Sequence, residues 1–557
     1  PHLCHARSMR SSVRFAACLG ALAFVIGCSK GDDPDADETK LSAAAPRGSG
    51  QAKGASSGEP TQPAEAPDPI AEQPAQAPLV DLSGVARPAA VTVVKPGPRV
   101  YAKALRVWVY QQPTRKSRRL GYLRSGASSP TSAEPAGHDD CPKGWYPVEP
   151  GGFVCTGRRA TLDGKDPVVL ATQEYRPDHM RKLPYIYGTV RKPGPIYRRL
   201  PTSEELQKKE PGFDERMKDW LEAEGEIGAS YAQHVWLGGE GEVPDPTKAW
   251  EDKLTEGVPE YLRNGAMAPN LLHFKGDLNA LSIENMRPKV GYSFLRTFFW
   301  EGRRYGVTTG LRVMPTDRLR PIQGSDLHGV RIPEDIDFPF ALVRKPFAYF
   351  YVFKKDKGRL SKFEKAPYGG AVSLTGKQRF FEKVLHYETK DGYWLSDREA
   401  SRIEPAKKMP KWGKEGSKWI DVNLTLQRIV LYEGTKPVYA TLISSGEAGL
   451  EDHKTSTATK RGIFRIHTKH VTTTMSSDEV GEEFELRDVP YVQYFEDGYA
   501  LHAAYWHDRF GTPKSHGCIN LAPEDARRIF YWTEPHVPTG WHGALLPLKG
   551  TIIFVHQ

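Results

Sequence analysis

Cysteine is scarce in this chain. Six are spread over 557 residues, at Cys4, Cys18, Cys28, Cys141, Cys155 and Cys518. No Cys-x2-Cys pair occurs, which excludes the common zinc modules and a dense disulfide scaffold. Charge of one sign is never concentrated in a single tract. Lys and Arg total 77 against 68 Asp and Glu, a net charge of +9 spread along the sequence. A solvated basic surface is expected, and no nucleic-acid partner. Aromatic residues are absent from Ser29 to Val100. Such a stretch, rich in Ala, Pro, Gly and Ser, cannot bury enough apolar area to offset its ordering entropy. The rest of the chain is different. With 39% apolar residues and a mean hydropathy of −0.53, it has core material for several small domains. Its length predicts about three or four.

The N-terminus reads as an address. Met9, Arg10 and Arg14 precede the apolar run Phe15 to Ile26. That run falls short of the ~20 residues a membrane-spanning helix needs and suits a signal peptide. It ends Val25-Ile26-Gly27-Cys28-Ser29, which resembles a bacterial lipobox. The resemblance implies cleavage before Cys28 and acylation of that residue. Residues 1–27 are then a signal peptide, and residues 28–100 a disordered tether. A lipid-anchored periplasmic protein is expected, with Ser29 pointing to the outer membrane. Disulfides are permitted there.

The middle reads as small β modules. Residues 101–110, YAKALRVWVY, alternate as a strand does. Cys141 and Cys155 bracket a hairpin-like segment with turn signals at Gly144-Trp145 and Gly151-Gly152, and are expected to pair. Residues 101–175 resemble a bacterial SH3-like module. Val190-Arg-Lys-Pro193 recurs as Val343-Arg-Lys-Pro346, which places further degenerate β modules between 180 and 410. Phe213, Met217, Trp220 and Leu221 mark one face of a helical insert. Lys407 to Lys418 reads as a linker.

From Trp419 the pattern is that of a β-rich domain covering 417–557. Arg428 to Tyr432 and Val438 to Ile443 flank a hairpin turn, with more strands at Gly462–His467, Tyr499–Ala503 and Thr551–Val555. Inside it lie His502-Ala503-Ala504-Tyr505-Trp506-His507 and Ser515-His516-Gly517-Cys518-Ile519-Asn520. A helix follows from Pro523, with Ala526, Ile529 and Phe530 on one face. Cys518 is thus expected on a loop just before a helix, whose N-terminus favours a thiolate.

His-x12-Ser-His-Gly-Cys-Ile-Asn resembles the signature of the L,D-transpeptidases, the YkuD-type catalytic domain. The likeness extends through Thr457 to Phe464 and Asn520 to Ala526. In this chain the gap from His502 to Ser515 is shorter than in many members, and Thr-Ala stands at 457–458 where they carry Thr-Pro. The resemblance implies a mostly β fold. It makes Cys518 the nucleophile, His502 the base and the Ala503 carbonyl the group that orients the imidazole. His516 would hold the loop, and amides near Gly517 and Cys518 would form an oxyanion hole. Ser515, Asn520, Tyr494 and Trp506 are candidates for substrate contact. The implied substrate is a peptidoglycan tetrapeptide stem, cut at the diaminopimelate–D-alanine bond and passed as a thioester to an amine. Neither a metal nor an organic cofactor is implied.

Two other readings compete. His502, His507, His516 and Cys518 could form a four-ligand zinc site, though their spacing matches no common pattern. The chain could also be a wall-binding scaffold without catalysis. Taken alone, Cys518 would read as a small buried hydrophobe.

Overall fold

The computed structural model describes residues 97–223, 246–273, 275–477, 484–546 and 549–557. The signal peptide, Cys28 and nearly all of the tether expected at 28–100 lie outside them.

Two sheets account for the C-terminal region. One has six strands, in the order Val330–Arg331, Lys436–Leu442, Arg428–Glu433, Lys418–Asn423, Ile552–His556, Gly462–Arg465. Its central hairpin closes at Glu433 and Lys436, where the turn residues predict it. The helix Pro523–Trp532 buries Ala526, Ile529 and Phe530 in one core with Ile420, Val422, Ile553 and Val555. Burial of such side chains contributes roughly 1.5–3 kcal/mol each.

The second sheet has 16 strands and is not confined to this region. Its spine is the long hairpin Thr468–Ser477 and Phe484–Glu496. On one side Val290–Trp300 adds in parallel, with Val290 opposite Glu485. On the other, Gly543–Leu545 bridges to Arg119–Leu123, with Tyr122 opposite Gly543. The chains come very close here. A Cβ on Gly121 would stand 2.2 Å from the Gly543 carbonyl oxygen, so only glycine fits. Segments from 101–175 and 180–330 are therefore joined strand to strand with the C-terminal region.

A buried ionic cluster fastens the same junction. Arg124 pairs with Asp488. Asp488 also accepts hydrogen bonds from Thr472 at 2.8 Å, Thr309 at 2.7 Å and Ser293. Burial acts to raise its carboxyl, but the Arg124 charge first, then the bonds from Arg124, Ser293 and Thr309, hold it well below the ordinary carboxylate range.

Residues 340–403 form a separate seven-stranded sheet built from two long hairpins, Tyr349–Lys354 with Arg359–Lys365 and Ala371–Phe381 with Val384–Thr389. The single strand expected at 101–110 is two strands, Arg99–Ala102 and Val107–Tyr110. The first pairs within a three-stranded sheet and the second within the 16-stranded one. Alternation continues across the break, but the chain changes partners there. The helical insert is present as Phe213–Ala223, with Phe213 and Met217 buried; the side chains of Trp220 and Leu221 lie outside the description. Cys141 and Cys155 form a disulfide, with Cα atoms 5.8 Å apart.

Candidate active site

The site is assembled on two short parallel strands. Tyr499–Ala503 carries His502, and Ile519–Leu521 begins directly after Cys518. Leu501 lies opposite Ile519 and His502 opposite Asn520. Both strands are buried along their whole length and are apolar apart from His502 and Asn520, as a strand covered on two faces is. The pairing brings together two segments separated by a polar loop.

His502 is 2% exposed. Its Nδ1 lies 3.1 Å from the Ala503 carbonyl oxygen. That contact requires Nδ1–H as the donor, which leaves the lone pair on Nε2. Burial lowers the imidazole to about 4. The ring lies beside Trp506, centroids 5.7 Å apart.

Cys518 is the free cysteine among the described residues. Its Sγ sits 3.6 Å from the Gly498 carbonyl oxygen, and the Ala500 amide donates toward it. Burial pushes the thiol up to about 11, and this amide offsets the rise only in part. The strand Ile519–Leu521 stands between Cys518 and the helix, so the sulfur does not occupy the helix N-terminus. The expected thiolate is therefore corrected. Helix-end stabilisation falls off within one turn, while desolvation acts on the sulfur directly. Thiol and imidazole are both neutral at pH 7.

The loop before the sulfur is braced from within. Ser515 Oγ accepts from the Gly517 amide at 3.2 Å and donates to the Cys518 carbonyl. Gly517 has φ +121°, and a Cβ there would stand 3.0 Å from the Tyr499 ring. Both facts demand glycine. Ser515 also changes the expected oxyanion hole. The Gly517 amide is occupied, which leaves the Cys518 amide as the donor that Ser515 does not take.

Other expected residues fall in different places. Asn520 is 2% exposed and its Nδ2 donates to His507 Nε2 at 2.9 Å. The Asn520 and Ser515 side chains are both buried and bonded to neighbouring residues. His516 is exposed, its ring 5.4 Å from Phe484. Tyr494 is partly buried on the same apolar cluster as Cys518, its ring edge-on to His470. Trp506 packs on that cluster too. Tyr491, by contrast, is core, with its hydroxyl donating to the Arg181 carbonyl at 2.6 Å.

Sequence reasoning missed the Tyr499 side chain and weighed His507 as a zinc-ligand candidate beside His502. Tyr499 forms the wall against Gly517, and His507 packs between Trp506 and Phe510 with its Nε2 on Asn520. Burial, and after it the nearby His502, lower His507 to about 4. Tyr499 carried a signal, three residues before His502 on an alternating strand. The zinc set does not converge: among the described residues no three His, Cys, Asp or Glu are grouped to hold a metal.

Residues 417–555 match the YkuD family, the L,D-transpeptidase catalytic domain. Over 143 residues the chain is 29% identical to the putative L,D-transpeptidase YciB of Bacillus subtilis (strain 168), covering 21% of this chain and 61% of that protein. The chain thus spans less than two thirds of that relative. It is similar to the catalytic domain of an Enterococcus faecium L,D-transpeptidase, at 25% identity over 25% of this chain and 98% of that one, TM-score 0.20. It is also similar to an L,D-transpeptidase from Mycobacterium smegmatis, at 19% identity over 32% and 77%, TM-score 0.20. The fold is mostly β, with an L,D-transpeptidase catalytic domain at its C-terminal end.

Proposed function

We propose that this protein is a cysteine-dependent L,D-transpeptidase acting on peptidoglycan stem peptides. One observation carries the reading: His502 directs Nδ1 to the Ala503 carbonyl on a strand paired in parallel with the one that follows Cys518. This supports reading His502 as a neutral base carried on the strand next to the one that follows the half-buried thiol.

The neutral pair dictates the order of events. A stem peptide enters and its diaminopimelate carbonyl approaches Sγ. As the C–S bond forms, the thiol proton passes to Nε2 of His502, and the Cys518 amide steadies the developing oxyanion. The imidazolium returns that proton to the leaving D-alanine nitrogen, and a thioester remains. An acceptor amine attacks the thioester, gives a proton to His502, and the thiol is restored. Water as acceptor would make the enzyme a carboxypeptidase, and a protein amine would attach protein to the wall.

A lipid anchor at Cys28 and a tether would hold the enzyme in the periplasm, on the outer membrane. The order of basic region, apolar run and cysteine supports this part.

Incubation with purified sacculi, followed by muropeptide analysis, separates the outcomes. New cross-links made by the wild type and not by Cys518→Ala support transpeptidation. Shortened stems indicate trimming. A carbapenem that leaves no adduct on Cys518, with unchanged sacculi, would return the chain to a wall-binding scaffold.

A further inference from the structure

The net charge of the chain is +9. Residues 345–390 hold eleven Lys and Arg against four Asp and Glu, a surplus of seven in 46 residues. The positive charge expected to be spread along the chain is thus concentrated in this stretch. The fold gathers many of these cations at one place. The hairpin of Tyr349–Lys354 and Arg359–Lys365 turns at Lys355–Lys357. The hairpin of Ala371–Phe381 and Val384–Thr389 turns at Glu382 and Lys383. The two tips meet, because the Phe353 and Phe381 rings pack with centroids 5.5 Å apart. Arg379 lies over both rings, at 5.4 and 5.0 Å.

Around this junction Lys354, Lys355, Lys357, Arg359, Arg379 and Lys383 are all exposed. Asp356 and Glu382 are the acids among them. No ion pair within 4.0 Å is made by Lys354, Lys355, Lys357, Arg359 or Lys383 among the described residues. Phe380, on the same hairpin but on the strand face opposite Arg379 and Phe381, is 69% exposed. Phe347, 78% exposed, and Phe363, 54% exposed, lie on the same seven-stranded unit. Phe347 and Phe380 are more exposed than any other large apolar side chain among the described residues.

Unpaired ammonium groups on hairpin tips that also carry an exposed apolar ring fit a specific kind of surface. Each cation near anionic headgroups gains on the order of 1 kcal/mol, and a ring gains by entering the headgroup–acyl boundary. A polysaccharide site needs hydrogen-bond donors and acceptors beside its ring, and here the neighbours are mostly cations. We propose that the paired hairpin tips of the 340–403 sheet dock on a bilayer surface of anionic phospholipid, with Phe380 at the contact.

The test is sedimentation of the full chain with vesicles. A Cys28→Ser background keeps acylation from contributing. Vesicles of phosphatidylethanolamine are compared with vesicles holding about 30% phosphatidylglycerol. Binding to the anionic vesicles alone is expected, weakened by salt as exposed charges are screened. Lys354→Glu/Lys355→Glu/Lys357→Glu/Lys383→Glu is expected to lower the partition coefficient by about tenfold or more. Phe380→Ser should lower it with the salt dependence retained. An unchanged urea transition shows that each variant is folded. Equal binding to both vesicle types, no binding to either, or retention by purified sacculi that the charge reversal abolishes without any vesicle binding would each overturn the proposal.

Discussion

Arg124 and Asp488 form a buried ion pair across 364 residues of sequence. It ties the first β segment to the hairpin that leads into the Tyr499–Ala503 strand. Thr472, Thr309 and Ser293 complete the ring of partners.

Removing one member leaves the other charge buried without its partner. Arg124→Ala and Asp488→Ala are each expected to cost about 3–5 kcal/mol. Urea unfolding should shift to a lower midpoint in a single transition, because the strands are continuous across the junction. A separate early transition in the wild type would show instead that the N-terminal segments unfold independently.

The thiol and the imidazole should titrate far from each other. Cys518 lies at about 11 and His502 at about 4, both through burial. Alkylation by iodoacetamide needs the thiolate, so its rate is expected to rise about tenfold per pH unit from 7 to 10. Acylation by a carbapenem, in which His502 takes the proton, is expected to stay level from about pH 5 to 9. It should fall by about 10²–10⁴ in His502→Ala. An alkylation plateau below pH 7 would reveal a preformed thiolate–imidazolium pair and sink this assignment.

Acid should destabilise the fold through its buried histidines. Burial lowers His470 to about 3, and His502 and His507 to about 4. Folded values lie below the unfolded one, near 6.5, so the unfolded chain takes protons first as pH falls. Their contribution to stability is complete above about pH 6.5 and is lost toward pH 4. The slope for three such groups is about 4 kcal/mol per unit. Urea midpoints at a series of pH values measure it. His470→Gln should reduce the slope by about a third; an unaltered slope would remove His470 from the account.

Loop geometry offers a fourth check. Gly517→Ala must place a methyl group against Tyr499 at a backbone angle that disfavours it. It is expected to abolish carbapenem acylation and to lower the urea midpoint through the strain at that position. Ser515→Ala loses two loop hydrogen bonds and should slow acylation by roughly 10²-fold. A Ser515→Ala enzyme as fast as the wild type would mean the brace is dispensable.

The sequence by itself determined the local features. The constellation around Cys518 and His502, the hairpin at Glu433–Lys436, the helix after Pro523 and the proximity of Cys141 to Cys155 all rest on short spacings. Periodicity and turn residues act over a few positions, so they are written where they act. Tertiary structure alone decided the rest. An alternating strand declares which face is buried but not which strand it will meet. Val290–Trp300 joined Phe484–Glu496 across almost 200 residues for that reason, and Arg99–Ala102 parted from Val107–Tyr110. Burial is likewise set by distant segments. It turned an expected thiolate into a thiol, made Ser515 and Asn520 supports for their neighbours, and gathered scattered lysines into one patch.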